Sequence, residues 1–544
     1  MTPQELVSHR EQLFSKRGTL MSMWQEIADN FYVERADFTS TRSMGDSFAD
    51  HLTTSYPILV RRDLGNSLGT MMRPTSIDWF HVRAEREEFE DQPAKEWLEY
   101  ATGVQKRVMY DRKSQFTRAS KESDHDMAAF GQSVKTVQLN RNGNGLIYRC
   151  WHLRDVAWCE NDEGQIDTVH RKWKPTALDL SRIFGNKIHS KVSDLIVGSN
   201  KKPYQEINVR HIVMPANQYG GEYRGKGDWV SIFLDVDNMH IMEVVGQNYF
   251  MYIIPRWQTV SGSQYAFSPA TVAGLPDARL LQAMTRTLLE AGEKAVAPPM
   301  IGVEEALRSD MAIYAGGVTW VDQAYDERLG EVLRPLTQDL RGLPQGFDAA
   351  DRMMAMMREA FFLNALALPQ GGPEMTAYEV GQRVQDYIRQ AAPIFEPLED
   401  EDNGAVCETT FDLLMKNGAF GSVEDIPQSI RGKDITFKFE SPLHDAAERQ
   451  KGNKFMEAAG ILGQVMPLDP TAPAHIDIKT AFRDVLTSIG MPAKWLTSET
   501  EAEEIIAGMQ QNAQAEQTVE ELGAGADVAG KVAEAGISLD ALAA

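Results

Sequence analysis

The chain has 544 residues, with 55 Lys and Arg against 78 Asp and Glu, a formal charge of −23 and a pI near 5.0. A protein that holds duplex DNA by neutralising phosphates carries a basic footprint, so this balance excludes a tight or sequence-specific grip by the chain as a whole. With 43% hydrophobic and 24% charged residues the composition is that of a globular protein of several domain equivalents, and disorder throughout is excluded.

In chain order, Leu6, Leu13, Leu20, Trp24, Ile27 and Phe31 recur at helical spacing, which predicts one long amphipathic helix. A second apolar run through Ile58, Leu59, Leu64 and Leu68 stops at Pro74, and Ile77 to Val82 reads as a strand. A helix from about Pro93 carries Trp97, Tyr100, Val104 and Val108, and another spans 116–130. Two hairpins follow, 134–139 with 146–150 and 156–159 with 166–173. Both are marked by Asn and Gly turn residues between apolar runs. This half reads as mixed α+β.

Further on, Pro276-Asp277 opens a helix with Leu281, Met284, Leu288, Ala291 and Ala295 on one face, closed by Pro298-Pro299. Asp348 is placed to cap a second helix through Met353, Met354, Met356, Met357, Phe361 and Phe362. Residues 300–345 between them hold eight acids and four arginines. Pro and Gly make 367–375 a loop, and Thr376 with Glu379 forms a capping box for a helix running toward Pro393. A strand at 435–439 and helices near 444–466 and 478–489 precede a tail, which from Lys494 onward has ten acids and two lysines.

Chemistry-bearing motifs are sparse. Cys150, Cys159 and Cys407 form no C-x-x-C pair, so neither a disulfide framework nor a zinc site is expected. The N-terminal segment lacks the apolar core of a signal peptide and no run is long enough to span a bilayer, so no membrane association is expected. Phosphate-loop, dinucleotide, zinc-protease and nucleophile-elbow patterns do not occur. Two clusters have metal-ligand residue types, Asp124-His125-Asp126 and Asp235 with Asp237 and His240. Surface charge on a helix and a loop is the simpler reading of both. Neither metal nor cofactor is expected. The methionines of the second helix read first as adaptable core packing, and otherwise as an interface whose copies shift against one another.

The order of segments resembles the portal proteins, or head-to-tail connectors, of short-tailed bacteriophages. It includes Leu64 to Pro74 before the Trp79 strand, Glu160-Asn-Asp-Glu-Gly164 before Asp167-Thr-Val-His-Arg171, and Tyr265-Ala-Phe-Ser-Pro269 before Leu275-Pro-Asp277. It continues with Ala295 to Ile301, Met375-Thr-Ala-Tyr-Glu-Val380 and Ile489-Gly-Met-Pro492. One departure is Ala266, where glycine is expected after the tyrosine.

The resemblance implies an α+β, mainly helical portal fold assembled as a ring, usually of twelve copies, at one vertex of the capsid. Double-stranded DNA would pass its tunnel inward during packaging and outward during ejection, without sequence specificity. Residues 1–265 and 377–442 would form the wing, 266–297 and 346–365 the stem helices, and 298–345 the clip. The tunnel loop would be 366–376, the crown 443–505 and a flexible acidic tail 506–544. The implied partners are the terminase large subunit, a tail adaptor, and scaffolding and major capsid proteins. Its place would be the virion after assembly in the host cytoplasm, and its role not enzymatic. Candidate channel residues are Pro369, Gln370, Arg352 and Arg358, and candidate clip docking residues are Asp322, Asp326 and Glu327. Two physical points fit: few net positive charges keep sliding DNA from sticking, and paired amphipathic helices short of apolar partners suit a ring interface that closes by rotation. The readings left beside it are another tail or internal head protein, and a soluble metal-dependent enzyme with an unfamiliar site.

Overall fold

The computed structural model describes residues 1–299 apart from 44, 47–48, 75–77, 141 and 199–200, and the backbone at 300–302 and 333–335. It then describes 342–364, 389–390, 393, 396–440, 455–464, 466, 477–488, 491, 495, 502 and 505–508. Chain contacts divide it into two units, one of residues 1–80, 103–421 and 439–445, the other of 81–102, 422–438 and 446–544.

The first unit opens with two helices where the apolar spacing predicts one, α1 (Pro3–Lys16) and α2 (Gly18–Phe31). Thr2 and Glu5 cap α1 reciprocally. The break falls at Arg17, whose buried guanidinium donates to the carbonyls of Leu153 at 2.7 Å, Val156 at 2.6 Å and Arg154 at 2.5 Å. Satisfying that turn draws Arg17 off the helix line, and Gly18 is a poor helix former. The predicted apolar face is otherwise in place, with Leu6, Leu13, Trp24, Ile27 and Phe31 buried.

Helix α3 (Tyr56–Met72) packs on α5 (Phe116–Phe130), with α4 (Gln92–Met109) between them in sequence. The crossing is close because Gly65 has no side chain: an ideal Cβ there would lie 2.4 Å from His125 Nδ1. Asp124 and Asp126 are therefore not surface charge, being 5% and 1% exposed. Arg35 grips Asp126 with two bonds of 3.1 and 2.8 Å. Arg73, at the end of α3, pairs with Asp124 and Asp402 and donates to Asn403 at 2.8 Å. Lys135 pairs with the other oxygen of Asp402. Burial alone would raise the Asp402 carboxyl, but Lys135 and Arg73 hold it below its usual range.

Strand β1 (Phe80–Ala84) precedes two antiparallel sheets. Strands β2 (Val134–Leu139) and β3 (Leu146–Trp151) join β9 (Tyr252–Ile253) in the order β3-β2-β9. The larger sheet runs β4 (Val156–Glu160), β5 (Ile166–Trp173), β6 (Val209–Pro215), β7 (Trp229–Asp235) and β8 (His240–Gln247) in sequence order. Helices α6 (Ala177–Phe184) and α7 (Ser190–Val197) lie between β5 and β6, and the short α8 (Ala216–Tyr219) follows β6. The second metal-type cluster also proves partly internal: Asp235 is fully buried and accepts from Asn238 in the β7–β8 turn, at 3.2 Å from N and 2.8 Å from Nδ2.

One apolar cluster holds α2, α3, α5, β4 and β5 together with both helices of a later pair, α9 (Leu275–Val296) and α10 (Leu343–Ala360). Asp348 lies inside α10 rather than at its cap, because the helix begins five residues earlier at Leu343, where Pro344 fits the first turn. Helix α11 (Ala405–Lys416) follows a π-helical turn at Glu399–Gly404 that presents Asp402 and Asn403 to Arg73.

In the second unit, Val82 N donates to Thr102 Oγ1 at 2.9 Å, and Glu85 N donates to the Asp434 carbonyl at 3.1 Å beside β12 (Ile435–Phe439). Ala94 and Leu98 are buried, but Tyr100 is 52% exposed and so off the apolar face assigned to it. Helical segments at 455–464 and α12 (Ile478–Ser488) fall within the stretches predicted as helices.

Replacing Asp402 with Asn leaves Arg73 and Lys135 buried with one charge partner fewer. Denaturant unfolding should show a loss of about 3–5 kcal/mol, the usual cost of breaking a buried ion pair from one side. A loss under about 1 kcal/mol, the scale of an exposed pair, would mean that the network does not hold the unit together.

Candidate functional site

Helices α9 and α10 are the two that bracket the acidic excursion, and they pack against each other. Their contact is close at Gly346, where an ideal Cβ would lie 2.6 Å from Leu288 Cδ2. A π-helical turn at Ala270–Gly274 leads into α9, and Leu275, Ala278 and Leu281 root it in the core. Ala350 and Met357 on α10 and Phe361 at its C-cap do the same, and Phe361 stacks on Phe31 with centroids 5.4 Å apart.

Polar ties fix the same end. Gln282 Oε1 accepts from Thr53 N at 2.7 Å and Thr54 N at 3.0 Å, while its Nε2 donates to the Thr54 carbonyl at 2.9 Å. Tyr56 Oη donates to the Met354 carbonyl at 2.9 Å. Partial burial raises the Tyr56 pKa, and the neighbouring Arg358 opposes that shift. Arg279 Nε donates to Glu26 at 2.6 Å.

Away from this root the pair changes character. Leu289 is 56%, Val296 88% and Phe347 56% exposed, whereas Leu280 and Met356, about half exposed, lie within the rooted stretch beside Leu281 and Met357. The methionines divide accordingly: Met357 is fully buried, Met353 and Met354 pack partly on the core, and Met356 faces out. The core reading of this Met-rich helix therefore holds for Met357 and in part for Met353 and Met354, and not for Met356. The excursion begins and ends in a ribbon, β10 (Met300–Gly302) antiparallel to β11 (Leu333–Pro335), with Ile301 opposite Arg334.

Of the residues singled out from sequence, Arg352 and Arg358 are both exposed on α10. Arg352, Met356 and Glu359 lie at helical spacing along one exposed stripe. Pro369 and Gln370 in the tunnel-loop segment, and Asp322, Asp326 and Glu327 in the clip segment, lie outside the described residues, as do Thr376 and Glu379. Gln282, Tyr56 and the Phe31–Phe361 stack are positioning residues missed from sequence. Gln282 reads there as one more polar residue on an exposed face, and nothing local links it to Thr53. No helix among the described residues is long and apolar enough to cross a membrane.

Comparison with known proteins bears on all of these segments at once. The family model described as bacteriophage head to tail connecting protein matches residues 3–496. The probable portal protein of Bordetella phage BPP-1 is 24% identical over 537 residues, covering 97% of this chain and 94% of that one. The portal protein of Salmonella phage epsilon15 is 19% identical over 490 residues, covering 88% and 86%. Among solved structures, a chain from the virion of a native gene transfer agent particle gives a TM-score of 0.36 at 11% identity, over 81% of this chain and 98% of that one. The match runs through both sheets, both core-rooted helices and the ribbon between them, and the chain belongs to the bacteriophage head-to-tail connecting protein family, the portal proteins.

Proposed function

We propose that copies of this chain close into a ring, usually of twelve, at one capsid vertex and that double-stranded DNA passes through its centre. One observation carries this reading: α9 and α10 are anchored at one end in a dense core yet expose Leu289, Val296 and Phe347 beyond it. An anchored helix pair with an uncovered apolar strip is a surface made for a neighbouring copy, and a head-to-tail contact that closes by rotation gives a ring. We assign 266–297 and 346–365, which carry α9 and most of α10, to the stem, 298–345 with its ribbon to the clip, 366–376 to the tunnel loop, 443–505 to the crown, 1–265 and 377–442 to the wing and 506–544 to the acidic tail.

In this reading the stem supplies the conduit and no catalysis is asked of it. In it Arg352 and Arg358 face the duplex as two cations within an acidic chain, which guides DNA without holding it. Pro369 and Gln370 narrow the channel, while Asp322, Asp326 and Glu327 offer the clip's charge to the terminase and later to the tail adaptor. Scaffolding and major capsid proteins are the further partners at the virion vertex.

Three experiments test these assignments. Leu289→Glu combined with Phe347→Glu should leave secondary structure and melting unchanged while shifting sedimentation from ring to monomer; intact rings would remove the stem from the interface. Gln370→Ala with deletion of Gly371-Gly372 should lower the retention of packaged DNA, and unaltered genome length and retention would refute the tunnel-loop role. Charge reversal at Asp322, Asp326 and Glu327 should weaken motor or adaptor binding with rings intact, whereas loss of rings would make those acids structural.

A further inference from the structure

Helix α1 covers one face of the five-stranded sheet. Alternation along β5 puts His170 and Lys172 on that face, and the β5–β6 register sets Lys172 directly opposite Arg210. Leu6 packs with Ile212, Ile232 and Leu234, while His9 meets His170 at 3.1 Å. Arg10 and Lys172 both sit on the Phe14 ring, Cζ and Nζ lying 4.8 and 4.4 Å from its centroid. Arg17, whose guanidinium is satisfied by three carbonyls, lies over the same ring at 4.4 Å, so four cations crowd one site, although like charges directly opposite on paired strands destabilise a sheet.

The nearby acids do not balance them. Asp155 pairs with Arg154 at 3.3 Å, Asp237 accepts from Asn208 at 2.9 and 3.0 Å, and Glu11 comes only within 3.9 Å of Arg10. Among the described residues no carboxylate forms an ion pair with Lys172 or Arg210. Arg210 is 7% exposed and donates one NH group to its own neighbour, the Val209 carbonyl, at 2.9 Å. Its Nε, the Nε of Arg10 and Nδ1 of His170 are buried without partners. Each buried donor left unpaired costs about 1–3 kcal/mol. Burial first, and then repulsion from Arg10, Arg17 and Arg210, pushes the Lys172 ammonium down to about 8.

We propose that Arg10, Lys172 and Arg210 form a binding site for a compact oxyanion, which supplies the acceptors that this face lacks. Because Arg210 is buried, the ligand class is a compact one, a free anion of phosphate size or a single side-chain carboxylate from another copy of the chain, rather than the backbone of a duplex. The site stands apart from the stem and does not depend on the channel reading.

Lys172 reports its own occupancy. Competitive acetylation of the full-length chain at pH 7, read by mass spectrometry, compares inorganic phosphate with chloride at matched ionic strength. A bound anion that stabilises the Lys172 ammonium slows its labelling about tenfold, while the exposed Lys174 is unaffected. Arg210→Met should abolish the protection and, because it relieves repulsion, leave melting in chloride no lower than that of the parent. A second arm omits phosphate and compares dilute with assembled chain. Protection that appears only on assembly assigns the anion to a neighbouring copy's carboxylate, and protection by phosphate in the dilute chain assigns a free ion. Equal Lys172 labelling in every condition overturns the site.

Discussion

The structure depends on how α9 and α10 are anchored. Phe361 lies flat on Phe31, Leu281 and Met357 are fully buried, and Gln282 bonds the backbone at Thr53 and Thr54, so apolar and polar contacts fix the same end of the pair. Helix pairs of this length hold their shape in water mainly through tertiary packing. Rooted at one end, α9 and α10 project apolar side chains at Leu289, Val296 and Phe347 that the described residues leave exposed. A ring of copies is the assembly that buries them.

The core that receives them is tied together by charge as well as by apolar contact. Arg73, Asp124, Lys135 and Asp402 connect the end of α3, α5, β2 and the π-helical turn before α11, and Arg35 with Asp126 adds a second buried pair. Buried pairs are poor sources of net stability compared with apolar packing, but losing one partner is expensive, so they select one arrangement of the elements that carry them. A scaffold that must hold identical geometry in every copy of a ring gains from that selectivity. Among the buried acids, Asp124, Asp126 and Asp402 are matched by arginine and lysine, whereas Asp235 is held by Asn238.

Much of this was legible in the sequence where the signal is local. The Asn161–Gly164 hairpin turn works as its residue types demand, with Asn161 Oδ1 accepting from Glu163 N at 3.0 Å and Gln165 N at 2.9 Å. The core-rooted helices were visible through their apolar spacing and flanking prolines. Long-range effects were not. Nothing near Arg17 announces that carbonyls more than a hundred residues away interrupt the first helix, and Asp124 and Asp126 look like surface charge until Arg73 and Arg35 meet them. Strand β6 escaped notice because Arg210 and His211 break an otherwise apolar run, although both are buried. Residues 322–327 and 369–370 remain assigned by the order of segments alone.

The central claim is that the anchored stem pair makes this chain a ring former around a channel. Negative-stain imaging of the purified full-length chain tests it most directly, with the symmetry counted from class averages. The account predicts closed rings with a central hole wide enough for duplex DNA. Monomers or dimers at concentrations where the chain is folded would contradict it.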